Sequence, residues 1–158
     1  MTSPKRIIPP ALQGVYDNWH FAPAVVANGL IFCSGIIGTS PDGEPPAQDG
    51  LAGAKATTSE ASNALTALMA VRDPEAQFST AFEALRAVLR AAGADMSDLL
   101  EITTYHVEIS RHMETFMRVR DRFILAPYPA WTAIGVSELI VPGGLLEIRA
   151  VAKDPNAG

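Results

Sequence analysis

The chain has 158 residues, 48% of them hydrophobic and 18% charged, enough for one globular domain with its own core and no need of a second. A net charge of -5 offers no basic field to attract a phosphate backbone, and Lys and Arg never gather into a run, so nucleic acid is not an expected partner. Residues 1–10 lack an apolar signal region, and no run of roughly 18 apolar residues follows, so neither a membrane partner nor export is expected and the cytosol is the expected compartment.

From Ala24 to Gly35 the apolar residues Val25, Val26, Leu30, Ile31 and Phe32 flank Asn28-Gly29, a dipeptide that tolerates positive φ, and the pattern predicts a hairpin of two strands. Cys33, the single cysteine, lies inside that run and reads as a buried, inert thiol. Thr39 to Gly53, rich in glycine, proline and aspartate, reads as a loop. Leu65, Leu68 and Met69 recur at helical spacing within an Ala-, Ser- and Thr-rich stretch, so a short helix is expected over 55–71.

The next segment carries the clearest periodicity. Phe78, Ala81, Phe82, Leu85, Val88, Leu89 and Ala92 form the apolar stripe of a helix lying on a sheet, with Asp73 as N-cap, Pro74 at the first position and Gly93 as the left-handed stop. Leu99 to Val107 is a β-branched and aromatic run, a strand with Thr103, Tyr105 and Val107 on one face and Ile102, Thr104 and His106 on the other. Ser110 is placed to cap a second helix with Met113, Phe116, Val119 and Phe123 as its stripe, ended by Pro127 and Pro129. Two closing strands are expected, Trp131 to Leu139 and Leu145 to Ala152. The order gives an α/β (α+β) fold with two main helices on one face of a sheet. The face without helices then needs cover, and oligomerisation is the usual remedy.

Four stretches resemble the Rid (reactive intermediate deaminase, YjgF-like) family: Gly29 to Gly35 with its Ser34-Gly35 pair, Asp73 to Ala94, Asp98 to Tyr105, and Tyr128 to Thr132 continued by Leu146 to Ala152. They cover most of the chain from Phe21 to Ala152. The resemblance implies one domain over 1–158 with a chorismate-mutase-like fold, a mixed sheet, and an insertion at about 44–71. It further implies a homotrimer with three intersubunit clefts, a small-molecule substrate or ligand, and no metal or organic cofactor.

Departures from the family pattern bear on the reaction. By the resemblance, the arginine that binds a substrate carboxylate is replaced by Trp131, a tyrosine hydroxyl by Phe21, and a glutamate near the last strand by Arg149. An anion grip relocated to Arg149 is the reading that keeps the chemistry, with Glu147 or His106 as general base or water-positioner. Phe21, Ser34, Gly35, Tyr105, Trp131 and Thr132 are then the substrate-binding candidates, Trp131 and Phe21 as an apolar wall. Each has a structural alternative: an ion pair for Arg149, a hydrogen-bonded core position for His106, and interface packing for Trp131. The expected activity is hydrolysis of a small imine, enamine or related C–N compound. Non-catalytic binding of a small metabolite in the same cleft is the alternative, and a purely structural trimer the third.

Overall fold

The structure is a computed structural model, and it describes residues 3–46 and 69–158. In chain order the main elements are β1 (Lys5–Ile7), α1 (Gln13–Trp19), β2 (Ala24–Ala27), β3 (Leu30–Ile36), β4 (Thr39–Ser40), β5 (Met69–Ala70), α2 (Pro74–Ala91), β6 (Leu99–Val107), α3 (Ile109–Phe123), β7 (Ala130–Val136) and β8 (Leu146–Lys153). Six strands form one sheet in the order β1-β2-β3-β8-β6-β7. Only β6 and β7 run parallel, so the sheet is mixed as expected. That parallel pair needs a crossover, which α3 supplies.

Local chemistry explains the best-defined elements. Asn28 and Gly29 hold φ of 51° and 77°, the two left-handed positions of a tight hairpin turn that matches strand twist. At the start of α2 the Asp73 carboxylate accepts the Ala76 N–H at 2.9 Å, and Gly93 at φ 84° follows its C-terminal end. Phe78, Phe82, Leu85 and Leu89 of α2 are fully buried, packed with Ile31 of β3 and Ile148 of β8 into a single core. Along β8 the alternation is complete: Leu146, Ile148, Ala150 and Ala152 are buried, whereas Glu147, Arg149, Val151 and Lys153 are on the other face.

Several expectations shift. The second helix starts at Ile109, and its N-cap is Glu108 at φ 53°, with no side-chain cap, in place of Ser110. The seventh strand stops at Val136, short of Leu139. Met69 and Ala70 pair with Ser40 and Thr39 as a two-stranded ribbon, where a helix was expected over 55–71. Residues 47–68, with Leu65, Leu68 and most of the suggested insertion, lie outside the described residues. The sequence reading also did not anticipate β1 and α1.

Candidate functional site

The sheet face away from α2 and α3 brings together most of the candidate residues. Glu147 of β8 is paired across the ladder with Tyr105 of β6, and Tyr105 with Ile134 of β7. The next rung on the same face is Arg149, Thr103 and Thr132. The Glu147 carboxyl lies against Gly35 of β3: a Cβ on that glycine would sit 2.8 Å from Cδ of Glu147. A side chain at residue 35 would therefore make the Glu147 carboxyl move. Gly35 lies where β3 changes register against β8, between Cys33 and Ile36. Burial pushes the Glu147 carboxyl above the usual carboxylate range.

Ser34 fixes the adjoining segment. Its hydroxyl donates to the Ala22 carbonyl at 2.6 Å and its N–H to the Pro23 carbonyl at 2.9 Å. Both donors are thus used within the chain, and they hold the segment that begins at Phe21, 42% exposed, beside β3. Arg149 is half-exposed and meets the Glu101 carboxylate at 3.7 Å, an ion pair worth little in so wet a place. Its guanidinium remains accessible to an anion. Phe32 and Ile134 are large apolar side chains left open on this face.

The structure does not bring His106 or Trp131 to this cluster. Both are on the opposite face, under α3. His106 is fully buried, with Nε2 2.7 Å from Thr104 Oγ1 and its ring edge-on to Phe116. Burial holds its pKa down to about 4, so the ring is neutral at pH 7. Trp131 donates its Nε1–H to the same Thr104 oxygen at 2.9 Å and stacks on Phe116 at 5.8 Å. The expected grouping of His106 with Glu147 and Arg149 fails by strand parity, because residues 106 and 147 are of opposite side-chain direction across the β6–β8 pair. The same parity removes Trp131 from any wall shared with Phe21. Cys33 is buried and its thiol is pushed up to about 12, which leaves it protonated and unreactive, as read from the sequence.

The family model described as Endoribonuclease L-PSP matches residues 15–154. The chain belongs to this family, the Rid or YjgF-like proteins. A curated relative, the RutC family protein YjgH of Escherichia coli K12, is 28% identical over 157 residues and covers 99% of each chain. A solved structure of a protein YjgH superposes with a TM-score of 0.73 at 26% identity, covering 98% of each chain. A YjgF-family protein from Mycobacterium tuberculosis gives a TM-score of 0.68 at 20% identity over 96% of this chain and 99% of its own, which shows the shared fold.

Three features of this Rid-family chain escaped the sequence reading. Thr104 joins Trp131 to His106 through one hydroxyl. Arg120 lies under the aromatic rings of Tyr128 and Trp131. An open cleft of about 400 Å³ lies where β6 and β7 end against the start of α3, lined by His106, Glu108, Ser110 and Arg111 among others. The spacing of Arg120 four residues after Phe116 was a usable signal, since it sets a charge beside an apolar stripe. The hydroxyl junction had none. Among the described residues, no helix is long and apolar enough to cross a membrane.

Proposed function

We propose that this chain is a Rid-type hydrolase of small imines, enamines or related C–N compounds, working in the cytosol as a homotrimer whose clefts use the open sheet face. The observation that carries the reading is the half-buried Glu147 carboxyl, set against Gly35 and one rung from the Arg149 guanidinium. A carboxylate whose pKa is raised toward the working pH is suited to accept and return a proton. In this reading Arg149 holds the anionic group of the substrate, and Glu147 takes a proton from water as its oxygen adds to the C=N carbon. The resulting amino alcohol receives that proton on nitrogen. The C–N bond then breaks as the hydroxyl gives its proton to Glu147, leaving a carbonyl compound and ammonia. Tyr105, Thr132 and Phe21 border the substrate. In this reading His106, neutral and under α3, takes no part as general base. The exposed Phe32 and Ile134 support burial of this face against further copies of the chain. The net charge of -5 supports a small molecule over a nucleic acid as ligand.

The Arg149–Glu101 ion pair favours a second reading, in which the cleft binds a small metabolite without turning it over. The deciding measurement is ammonia release from freshly generated 2-iminopropionate and from a dicarboxylic imine. A hydrolase gives release above the spontaneous rate, at least ~10-fold lower in Arg149→Ala and in Glu147→Gln. Release equal to buffer removes the hydrolase and leaves binding, to be read by calorimetry with the corresponding oxoacids. Sedimentation at three times the 16.8 kDa chain mass is the expected assembly.

A further inference from the structure

A buried N–H without an acceptor costs about 1–3 kcal/mol, so native folds keep few of them. His106 has one. Its Nε2 lies 2.7 Å from the Thr104 hydroxyl, which also accepts the Trp131 Nε1–H at 2.9 Å. Thr104 is fully buried and has a single proton to give, so the hydroxyl donates to Nε2 and the imidazole carries its own hydrogen on Nδ1. The other tautomer would leave two buried groups unpaired in place of one. Nδ1 is itself buried and has no hydrogen-bond partner among the described residues.

The two ring nitrogens face opposite ways. With Nε2 turned back along β6 to Thr104, Nδ1 is turned toward the strand's C-terminal end, where the cleft of about 400 Å³ opens with His106 in its lining. The same cleft takes in the first turn of α3. No side chain caps that helix, and the Arg111 and His112 N–H groups already reach the Glu108 carbonyl at 2.9 and 3.3 Å. The N–H groups of Ile109 and Ser110 therefore have no partner within the helix, at the end where its dipole is positive. Arg111 lines the cleft as well, its side chain 73% exposed and 3.3 Å from the Glu108 carboxylate, whose charge it offsets. A Cβ on Gly135 of β7 would meet Ile109 Cγ2 at 3.2 Å, so this glycine keeps the cleft open.

We propose that this cleft binds a small organic phosphate monoester, its phosphate taken by the N–H groups of Ile109 and Ser110, the Arg111 guanidinium and the His106 Nδ1–H. Donors that converge from a helix end, a strand end and a long side chain suit the oxygens of a tetrahedral group better than the flat pair of a carboxylate. A volume of about 400 Å³ exceeds what a phosphate fills, which leaves room for an organic part against Ile109 and Val136. Trp131 is four residues, or roughly 13 Å, back along β7 from Gly135, and Glu147 and Arg149 are on the open face. The site therefore stands apart from the hydrolase reading and uses none of its residues.

The test is calorimetric titration of the full chain with phenyl phosphate, inorganic phosphate and benzoate at constant ionic strength, while NMR follows the ring nitrogens of His106. The expected result is a ring proton on Nδ1, saturable heat with phenyl phosphate, weaker binding of inorganic phosphate and of benzoate, and a shift of the Nδ1 resonance on binding. Gly135→Leu, which fills the cleft, and Arg111→Met should each weaken the binding of phenyl phosphate at least ~10-fold. Arg149→Ala should leave it unchanged. Circular dichroism establishes that each variant folds, and Arg111→Met, on an exposed side chain, carries the comparison should Gly135→Leu unfold. Absence of saturable heat with phenyl phosphate, undiminished binding in both cleft variants, or an Nδ1 resonance unmoved at saturation overturns the inference. Benzoate bound as tightly as phenyl phosphate refutes the phosphate, and equal affinity for the two phosphates refutes the organic part. Binding lost in Arg149→Ala but kept in Gly135→Leu places the anion on the open face, which sinks the cleft site and leaves the hydrolase reading intact.

Discussion

Gly35 and Glu147 occupy one volume between them: the space a side chain at residue 35 would need is filled by the carboxyl group of residue 147. Gly35→Ala therefore must displace Glu147. The carboxyl is the far end of a flexible side chain and residue 35 is exposed, so the expected cost in urea denaturation is below ~1 kcal/mol, with a fall of at least ~10-fold in ammonia release. Adding Glu147→Ala to Gly35→Ala should return most of the lost stability without restoring activity. A Gly35→Ala protein as stable and active as the wild type would remove the contact from any role.

The raised pKa of Glu147 sets a pH signature. Its folded value lies above its unfolded one, so between the two the native state keeps a proton that the unfolded chain has released. Stability from this group is full below the ordinary carboxylate value and is lost as pH rises through the folded value. Glu147→Gln cannot ionise, and it should gain on the wild type as pH rises above the ordinary carboxylate range in parallel denaturation series. A constant difference as pH rises would show that burial does not perturb the carboxyl.

His106 should act in the opposite direction. Its folded pKa of about 4 lies below the ordinary 6.5, so below 6.5 the unfolded state takes up a proton that the native state refuses until about 4. The wild type should lose stability as pH falls through that window. His106→Gln should lack this component, and NMR titration of the ring should show no protonation near neutrality. A ring that titrates near its ordinary value would overturn the placement under α3.

Gln77 of α2 holds together two loops that are remote in sequence. Its Nε2 donates to the carbonyls of Val71 at 2.9 Å and Gly143 at 3.1 Å, and its Oε1 accepts the Leu145 N–H at 2.7 Å. Gln77 is 1% exposed, so Gln77→Leu leaves buried polar groups without partners. A loss of ~2–4 kcal/mol is expected in urea denaturation, with the α-helical signal retained. A loss below 1 kcal/mol would mean that water replaces the side chain.

The sequence by itself determined the elements whose information is local. The run from Leu99 to Val107 is a strand with the expected bounds, Asp73 caps α2, and Asn28-Gly29 turns the hairpin, because β-branching, side-chain capping and tolerance of positive φ each act within a few residues. Family membership was legible as well, from stretches that lie in the same order along the chain. The sequence did not announce β1, since three residues carry little pattern and its pairing with β2 is made across the sheet. Nor could Ser110 be told from Glu108 as the end of a helix, a choice made by the left-handed backbone at residue 108.

Only the tertiary structure decided the site. Period-two alternation placed Glu147 with Arg149 and Ile102 with His106, but it could not say which set α2 and α3 would cover. That depends on the register between β6 and β8, which opposes Tyr105 to Glu147 and His106 to Leu146. Burial of Leu146, Ile148, Ile102 and Phe116 in one core fixes that register, and a shift of one residue would expose them all. The same burial sends His106 and Trp131 beneath α3, leaves Glu147 and Arg149 on the open face, and draws Arg120 under two rings.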